Sequence, residues 1–277
     1  MPMDALWIWL LCIAAAFGIW WFLYDQTNRL QVTRYTLPSG RITQTVRLVH
    51  ISDLHCKAFG EDNIRLYRTI AAQKPDLICC TGDMVNRTRK GDEERMLRLF
   101  AKLAKLAPTV CIFGNHDVQS ELNDWLRERL ENVGVMVLEN ESACFSFQGQ
   151  TVRVLGLQEF DTDPALPNAC MAAHAQRDGF RLVLSHYPEY FAVHSRMLYH
   201  RYAVDLILSG HAHGGQFILP LLGPVYSPGQ GLFPKYARGM HRKNAATLIV
   251  NRGLGGASFP FRLFNHPEIG VIEIGKD

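Results

Sequence analysis

Five short polar motifs in this sequence carry residue types that can do chemistry together. They are Asp53-Leu54-His55, Gly82-Asp83, Gly114-Asn115-His116-Asp117, Ser185-His186 and Gly210-His211-Ala212-His213. Asp, Asn and neutral His bind borderline divalent metals and need no cysteine. A carboxylate such as that of Asp83 has two oxygens, so it can bridge two ions. Two ions about 3.5–4 Å apart can clamp both the attacking and the leaving oxygen of a phosphoryl displacement. A lone His is more often structural, and His50, His174, His194, His200 and His266 are read that way. His241 stays open, because it follows a Tyr-Ala-Arg-Gly turn that could face the site. Asp53 could instead cap a helix, but that would leave His55 unexplained.

Each motif begins at the C-terminal end of an apolar run. The strand candidates are residues 46–52, 76–81, 109–113, 151–157, 180–186 and 204–210, with 247–252 and 270–274 as late strands. Amphipathic segments at 61–73, 92–106 and 120–132 lie between several of them. Strands separated by helices of this length indicate an α/β sandwich with a largely buried sheet. Ligands in such sheets bind beyond the carboxyl ends of the strands, so five loops converge on one edge. Glycines before Asp83, Asn115 and His211 permit tight turns that swing these side chains inward. Residues 25–45 are polar and mixed, with a turn at Pro38-Ser39-Gly40, and read as a linker and lead-in.

The order DxH, GD, GNHD, H, GHxH over residues 46–215 resembles the signature of the calcineurin-like metallophosphoesterase superfamily. The stretches 210–216, 234–239 and 251–255, with Pro267-Glu268, are similar to its YkuE-type branch and extend the likeness to the C-terminus. The resemblance implies a four-layer α/β/β/α sandwich over residues 46–277. It implies that Asp53, His55, Asp83 and His213 hold one metal, and that Asp83, Asn115, His186 and His211 hold the other. Two divalent ions would be the cofactor, with Mn, Fe, Zn or Co suited to the mixed N/O set. A bridging water acidified by both ions would be the nucleophile. His116 would lie over the phosphate, stabilise its developing charge and protonate the leaving oxygen. Asp117 would orient His116.

The chain is 277 residues long, which suits one large domain or at most two small ones. Its 48% hydrophobic and 20% charged residues exclude a disordered or collagen-like chain. A net charge of +3 is too mild to make nucleic acid the expected ligand. The mean hydropathy of −0.04 is raised by one local feature, the uncharged residues 5–24. As a helix they rise about 30 Å, enough to span a bilayer core. Trp7 and Trp9 sit near one end and Trp20, Trp21 and Tyr24 at the other, like interfacial belts. There is no basic n-region and no small-x-small site, so residues 1–24 read as an uncleaved transmembrane anchor, not a signal peptide. Arg29, Arg34, Arg41 and Arg47 follow the span and no Lys or Arg precedes it. The positive-inside rule then gives a single-pass protein of the inner (cytoplasmic) membrane, with its domain in the cytoplasm. Seven cysteines, with Cys79 and Cys80 adjacent in an apolar run, read as buried thiols and not as a disulfide framework.

The expectation is a membrane-anchored, dinuclear metal-dependent hydrolase of phosphodiester or pyrophosphate bonds, with a lipid-linked substrate. UDP-2,3-diacylglucosamine is a concrete candidate, because the superfamily includes hydrolases for it. One alternative is a tethered phosphodiesterase for soluble nucleotides or phosphomonoesters. Another is a non-catalytic metal-binding scaffold for a partner protein, which the intact ligand set disfavours. Arg87, Arg89 and Lys90 are either a solvated loop or an attractor of anionic head groups. Asn86 and Arg252 are candidate substrate contacts. Leu232, Phe233, Tyr236, Phe259 and Phe261 divide between core and a surface for acyl chains or bilayer.

Overall fold

Apolar side chains line both faces of the strands, so the sheets must be covered on both sides. In the computed structural model, which describes residues 3–87, 92–194, 196–256 and 259–275, two six-stranded sheets achieve this. Arg89 and Lys90 of the basic cluster lie outside the described residues. The strands are β1 (Gln31–Pro38), β2 (Val46–Ile51), β3 (Leu77–Thr81), β4 (Thr109–Ile112), β5 (Met136–Val137), β6 (Glu141–Phe147), β7 (Gln150–Gly156), β8 (Phe180–Leu184) and β9 (Leu206–Ser209). There follow the small pairs β10 (Ile218–Leu219) with β11 (Gly223–Pro224) and β12 (Tyr226–Ser227) with β13 (Gly231–Leu232). The chain closes with β14 (Gly239–Lys243), β15 (Ala246–Val250) and β16 (Glu268–Gly275). The first sheet runs β1-β16-β2-β3-β4-β5 and the second β14-β15-β9-β8-β7-β6. Strands β2 to β5 are mutually parallel, as are β7, β8, β9 and β15, so motifs at their C-terminal ends share one edge.

Side-chain alternation sorts each strand between layers. In β2, Val46 and Leu48 pack into the inter-sheet core with Phe180, Leu182 and Leu206. Val49 and Ile51 face the other way, towards Leu66 and Ile70 of α2 (Ile64–Ala71) and Met96, Phe100 and Leu103 of α3 (Glu93–Leu106). On the far side, Val183 and Ile207 pack against Met171 of α6 (Ala165–Ala175). The layers are therefore α/β/β/α, as the resemblance implies. Each buried Leu or Ile contributes roughly 1.5–3 kcal/mol, so both sheet faces are firmly held. Helix α3 shows why the expected segment folds as it does. Asp92 caps it by accepting the Arg95 N–H at 2.8 Å, and Glu93 and Glu94 fill its first turn. Ala107 leaves it in extended backbone ahead of Pro108.

The stretch 25–45 is not a linker throughout. Residues 31–38 form β1, paired in parallel with β16 from Gln31↔Glu268 to Pro38↔Gly275. Tyr35 and Leu37 reach the inter-sheet core and Val32 the outer one, while Arg34 and Thr36 face outward. An edge strand of this kind is half exposed, which is why its composition is mixed.

Helix α1 (Met3–Asn28) rises about 39 Å and stands outside the sandwich. Its stretch Leu6–Asn28 includes an 18-residue window with a mean hydropathy of 2.1, none of it buried, so it is long and apolar enough to cross a membrane. Its carboxyl end is fastened to the domain. Lys57 donates to the Thr27 carbonyl and Arg65 Nη2 to that of Asn28 at 3.2 Å. The Arg262 amide donates to Thr27 Oγ1 at 3.1 Å, and His266 lies 2.7 Å from Arg29. Cations thus satisfy carbonyls that a helix end leaves without intrahelical partners.

Candidate metal centre

Five strand ends supply the motif side chains. Asp53 and His55 follow β2, Asp83 follows β3, His186 follows β8, and His211 and His213 follow β9. Asn115 and His116 open α4 (Asn115–Val118), a single turn after β4. Asp53, His55, Asp83, His211 and His213 all have left-handed backbone, with φ of 51°, 48°, 56°, 63° and 47°. Such a conformation costs on the order of 1 kcal/mol or more per non-glycine residue and persists only where the surrounding fold imposes it. Here it turns each side chain back into the edge between the sheets. The glycines have a different task from the one expected at two positions. Gly114 is extended, with φ −93°, and a Cβ there would lie 2.2 Å from Asp83 Oδ1. A Cβ on Gly210 would lie 2.5 Å from Asp53 Oδ2. These glycines make room for carboxylates. Only Gly82, with φ 91°, is itself the left-handed turn residue.

The donor atoms fall into overlapping groups, each within 4.8 Å: Asp53, His55 and His213; His55, Asp83 and His116; and Asp83, His186 and His211. His55 Nε2 is 3.3 Å from His213 Nε2, and His213 Nε2 is 3.4 Å from Asp53 Oδ1. Asp83 Oδ2 is 3.4 Å from His186 Nε2 and 3.9 Å from His55 Nε2, so Asp83 stands between the outer groups. Among the described residues, Asn115 Oδ1 and His186 Nε2 are buried without a hydrogen-bond partner.

Backbone carbonyls fix two tautomers. His55 Nδ1 donates to Val85 O at 3.1 Å and His186 Nδ1 to Thr81 O at 2.6 Å. Both Nε2 atoms then face the site. Burial holds His55 down at about 4 and His211 at about 3, and keeps His213 well below the usual imidazole range. Burial would also lower His186, but the Asp83 charge raises it to about 10. Burial, with repulsion from Asp83, pushes Asp53 up to about 7. Asp83 is likewise desolvated, yet His186 and His55 hold it below the carboxylate range. The donor set fits divalent cations. It offers neutral imidazoles at His55, His211 and His213, two buried carboxylates and an orphaned amide oxygen; a cation would favour the charged form of Asp53 and release the proton that Asp83 holds on His186.

Asp117 does not make the contact expected of it. Its Oδ1 accepts the Val85 N–H and its Oδ2 the Gly114 N–H, both at 3.0 Å. As the third residue of α4 its carboxylate turns back onto the residue that caps the helix, as a capping box does. His116 instead has its Nδ1 3.4 Å from the Arg87 amide and its ring 4.8 Å from that of His55. Arg252 is buried against Glu268, Nε to Oε2 3.2 Å, and is an internal ion pair, not a free phosphate contact. His241 lies on β14 with Nε2 2.9 Å from Arg238 O and its ring on Tyr236, and belongs to none of the donor groups. His50, His174 and His200 are buried outside those groups too.

Sequence reasoning missed Glu159. Its Oε2 accepts the His186 N–H at 2.8 Å and its Oε1 accepts Ser185 Oγ–H at 2.7 Å. It sits three residues past the end of β7, a strand end to which no motif had been assigned. An acid at that offset was the available signal. Asn265 was missed as well; its Nδ2 donates to His213 O at 2.8 Å and steadies that loop.

Residues 46–215 match the family model described as calcineurin-like phosphoesterase. The chain is 28% identical over 269 residues to the uncharacterized metallophosphoesterase YkuE of Bacillus subtilis, covering 95% of this chain and 91% of that one. It is 27% identical over 268 residues to the phosphodiesterase YaeI of Escherichia coli, covering 95% and 94%. It is 26% identical over 316 residues to the UDP-2,3-diacylglucosamine pyrophosphatase LpxG of Chlamydia trachomatis, covering 94% of each. With a family match over most of its length and donor atoms gathered at the sheet edge, the chain belongs to the calcineurin-like phosphoesterases, a family of metal-dependent hydrolases.

Proposed function

We propose that Asp53, His55, Asp83 and His213 hold one divalent ion and Asp83, Asn115, His186 and His211 a second, drawn from Mn, Fe or Zn. The site then hydrolyses a phosphodiester or pyrophosphate bond in a lipid-linked substrate. The observation that carries this reading is Asp83 set between two donor groups, beside the unpartnered Asn115 Oδ1 and His186 Nε2. When bound, the ions supply Lewis-acid charge at the phosphoryl oxygens and acidify the attacking water. The chain's own residues do the rest. Val85 and Thr81 hold the His55 and His186 rings, and Glu159 holds the His186 backbone. The Arg87 amide faces His116 Nδ1, so the hydrogen resides on Nε2, which can offer a hydrogen bond to the charge that develops on the leaving oxygen. Burial lowers the His116 pKa, so the ring is neutral at physiological pH. Helix α1 anchors the domain to the cytoplasmic membrane, and the arginines after it favour a cytoplasmic domain. The likeness to a pyrophosphatase of UDP-2,3-diacylglucosamine supports that lipid, or one like it, as substrate.

The test uses the purified full chain, stripped of metal and reloaded with Mn, Fe or Zn. Bis(p-nitrophenyl) phosphate and UDP-2,3-diacylglucosamine are offered as substrates. Metal-dependent turnover of both, with about two ions per chain, is expected. Full activity in Asp83→Ala or Asn115→Ala would refute the ligand assignment. A C-terminal reporter active only outside the cytoplasm should stay dark.

A further inference from the structure

Of the five bulky side chains Leu232, Phe233, Tyr236, Phe259 and Phe261, Tyr236 is core, while Leu232, Phe233 and Phe259 are 69%, 58% and 50% exposed and Phe261 is exposed too. Leu221 and Leu222, between β10 and β11, are exposed as well. These side chains lie on linked segments. The Phe217 ring meets Phe259 at 5.2 Å, and Ile218 N–H bonds Leu263 O at 3.0 Å. Val225 N–H bonds Phe217 O, and Phe233 N–H bonds Val225 O, both at 2.9 Å. The same surface reaches α1. Phe264 meets Phe22 edge to face at 5.6 Å. Phe22 lies between Trp21 and Tyr24, the aromatic girdle that marks the level of the membrane interface on this helix. Phe264 therefore stands at interface depth. Beside it, Arg29 contacts His266 and Asp25, and Arg65 reaches the Asn28 carbonyl, so two cations border this end of the helix.

We infer that this patch sits in the same bilayer as α1, so that the domain rests on lipid through two contacts. The inference rests on α1 being a membrane span. The apolar side chains that water disfavours enter the acyl boundary, and Arg29 and Arg65 meet head-group phosphates. Asn265, next to Phe264, bonds the carbonyl of His213. The His213 loop is thus held beside the lipid surface, where a lipid-borne phosphate would be presented to it.

The test places the full chain in nanodiscs of phosphatidylethanolamine and phosphatidylglycerol containing a diazirine-bearing phospholipid, and maps the photolabel by peptide. Label on residues 219–222, 232–233 and 259–264, together with α1, is expected. Label on α1 alone overturns the inference and leaves the anchor standing. Label on neither overturns both. A patch shielded from lipid in a dimeric species overturns it in favour of self-association. In Leu222→Glu/Phe233→Glu, label on these segments should fall by about tenfold or more. Turnover of bis(p-nitrophenyl) phosphate should hold and show that the variant is folded. Unchanged labelling of that variant overturns the inference.

Discussion

Asp83 Oδ2 stands 3.4 Å from His186 Nε2, while Oδ1 of the same carboxylate accepts the His116 amide at 2.8 Å. One side chain therefore joins the end of β3 to the end of β8 and to α4, and so couples the two sheets at the site. Asp83→Asn keeps the shape and removes the charge. We expect kcat/KM to fall roughly 10³-fold, equivalent to several kcal/mol of lost charge stabilisation, with fewer ions per chain by elemental analysis. Near-normal turnover with two ions retained would contradict the bridging role.

Gly114→Ala should damage the site without replacing a ligand. The added Cβ would lie 2.2 Å from Asp83 Oδ1 and 2.6 Å from His186 Cε1. A loss of about 1–3 kcal/mol is expected, read as a lower Tm with weaker metal retention. Gly40→Ala, where nothing lies within 4 Å of the added atom, should change stability by less than about 0.5 kcal/mol. Equal Tm values for the two variants would defeat the crowding argument.

His116 and Asp117 are neighbours in sequence, yet they should fail differently. His116→Ala should lower kcat by about 10²- to 10³-fold and leave KM and metal content nearly unchanged, as loss of a hydrogen-bond donor to developing charge does. Asp117→Ala strands the buried Val85 and Gly114 amides, at a cost of about 1–3 kcal/mol for each. Its defect should appear first in Tm and metal retention. Identical profiles for the two variants would show that Asp117 serves His116 after all.

The contrast shows what was legible in the sequence. The strand runs feeding Asp53, Asp83, Asn115, His186 and His211 are apolar on both faces, so their ends, and the motifs on them, stand out. Strand β1 has no such contrast, because an edge strand leaves Arg34 and Thr36 outside. Helix α6 is rich in Ala and shows no clear apolar stripe. Asp117 looked like a partner of His116 because it is adjacent, but adjacent helical side chains point apart, and its position favours the cap. Glu159 left only its offset past β7 as a signal, because it acts on the His186 backbone amide and on Ser185 and completes no motif. The exchange of roles at Gly114 and Gly210 depends on carboxylates arriving from distant strands.

Burial pushes Glu159 and Glu189 up to about 7 from a usual value of 4.5. The folded chain holds these protons more tightly than the unfolded one, so their contribution is most favourable below pH 4.5. It is lost as pH rises through about 7. Glu189→Gln removes one of these ionisations. The variant should gain on wild type between pH 5 and 8 by up to about 3 kcal/mol, measured by denaturant unfolding. A pH-independent difference would mean that Glu189 ionises in the folded chain as easily as in water.

The closure of α1 by Lys57 and Arg65 has a consequence for encounter. A helix whose last carbonyls are bonded to the domain cannot swivel against it, so helix and domain turn as one body. On the proposed reading of α1 as a membrane span, insertion would remove most of the domain's rotational freedom once, and two-dimensional diffusion would carry an already oriented site to a lipid-borne substrate. The entropy of alignment need not be lost again at every collision. A fragment starting at Gln31 would tumble freely and would also leave Lys57 and Arg65 without the carbonyls that now receive them.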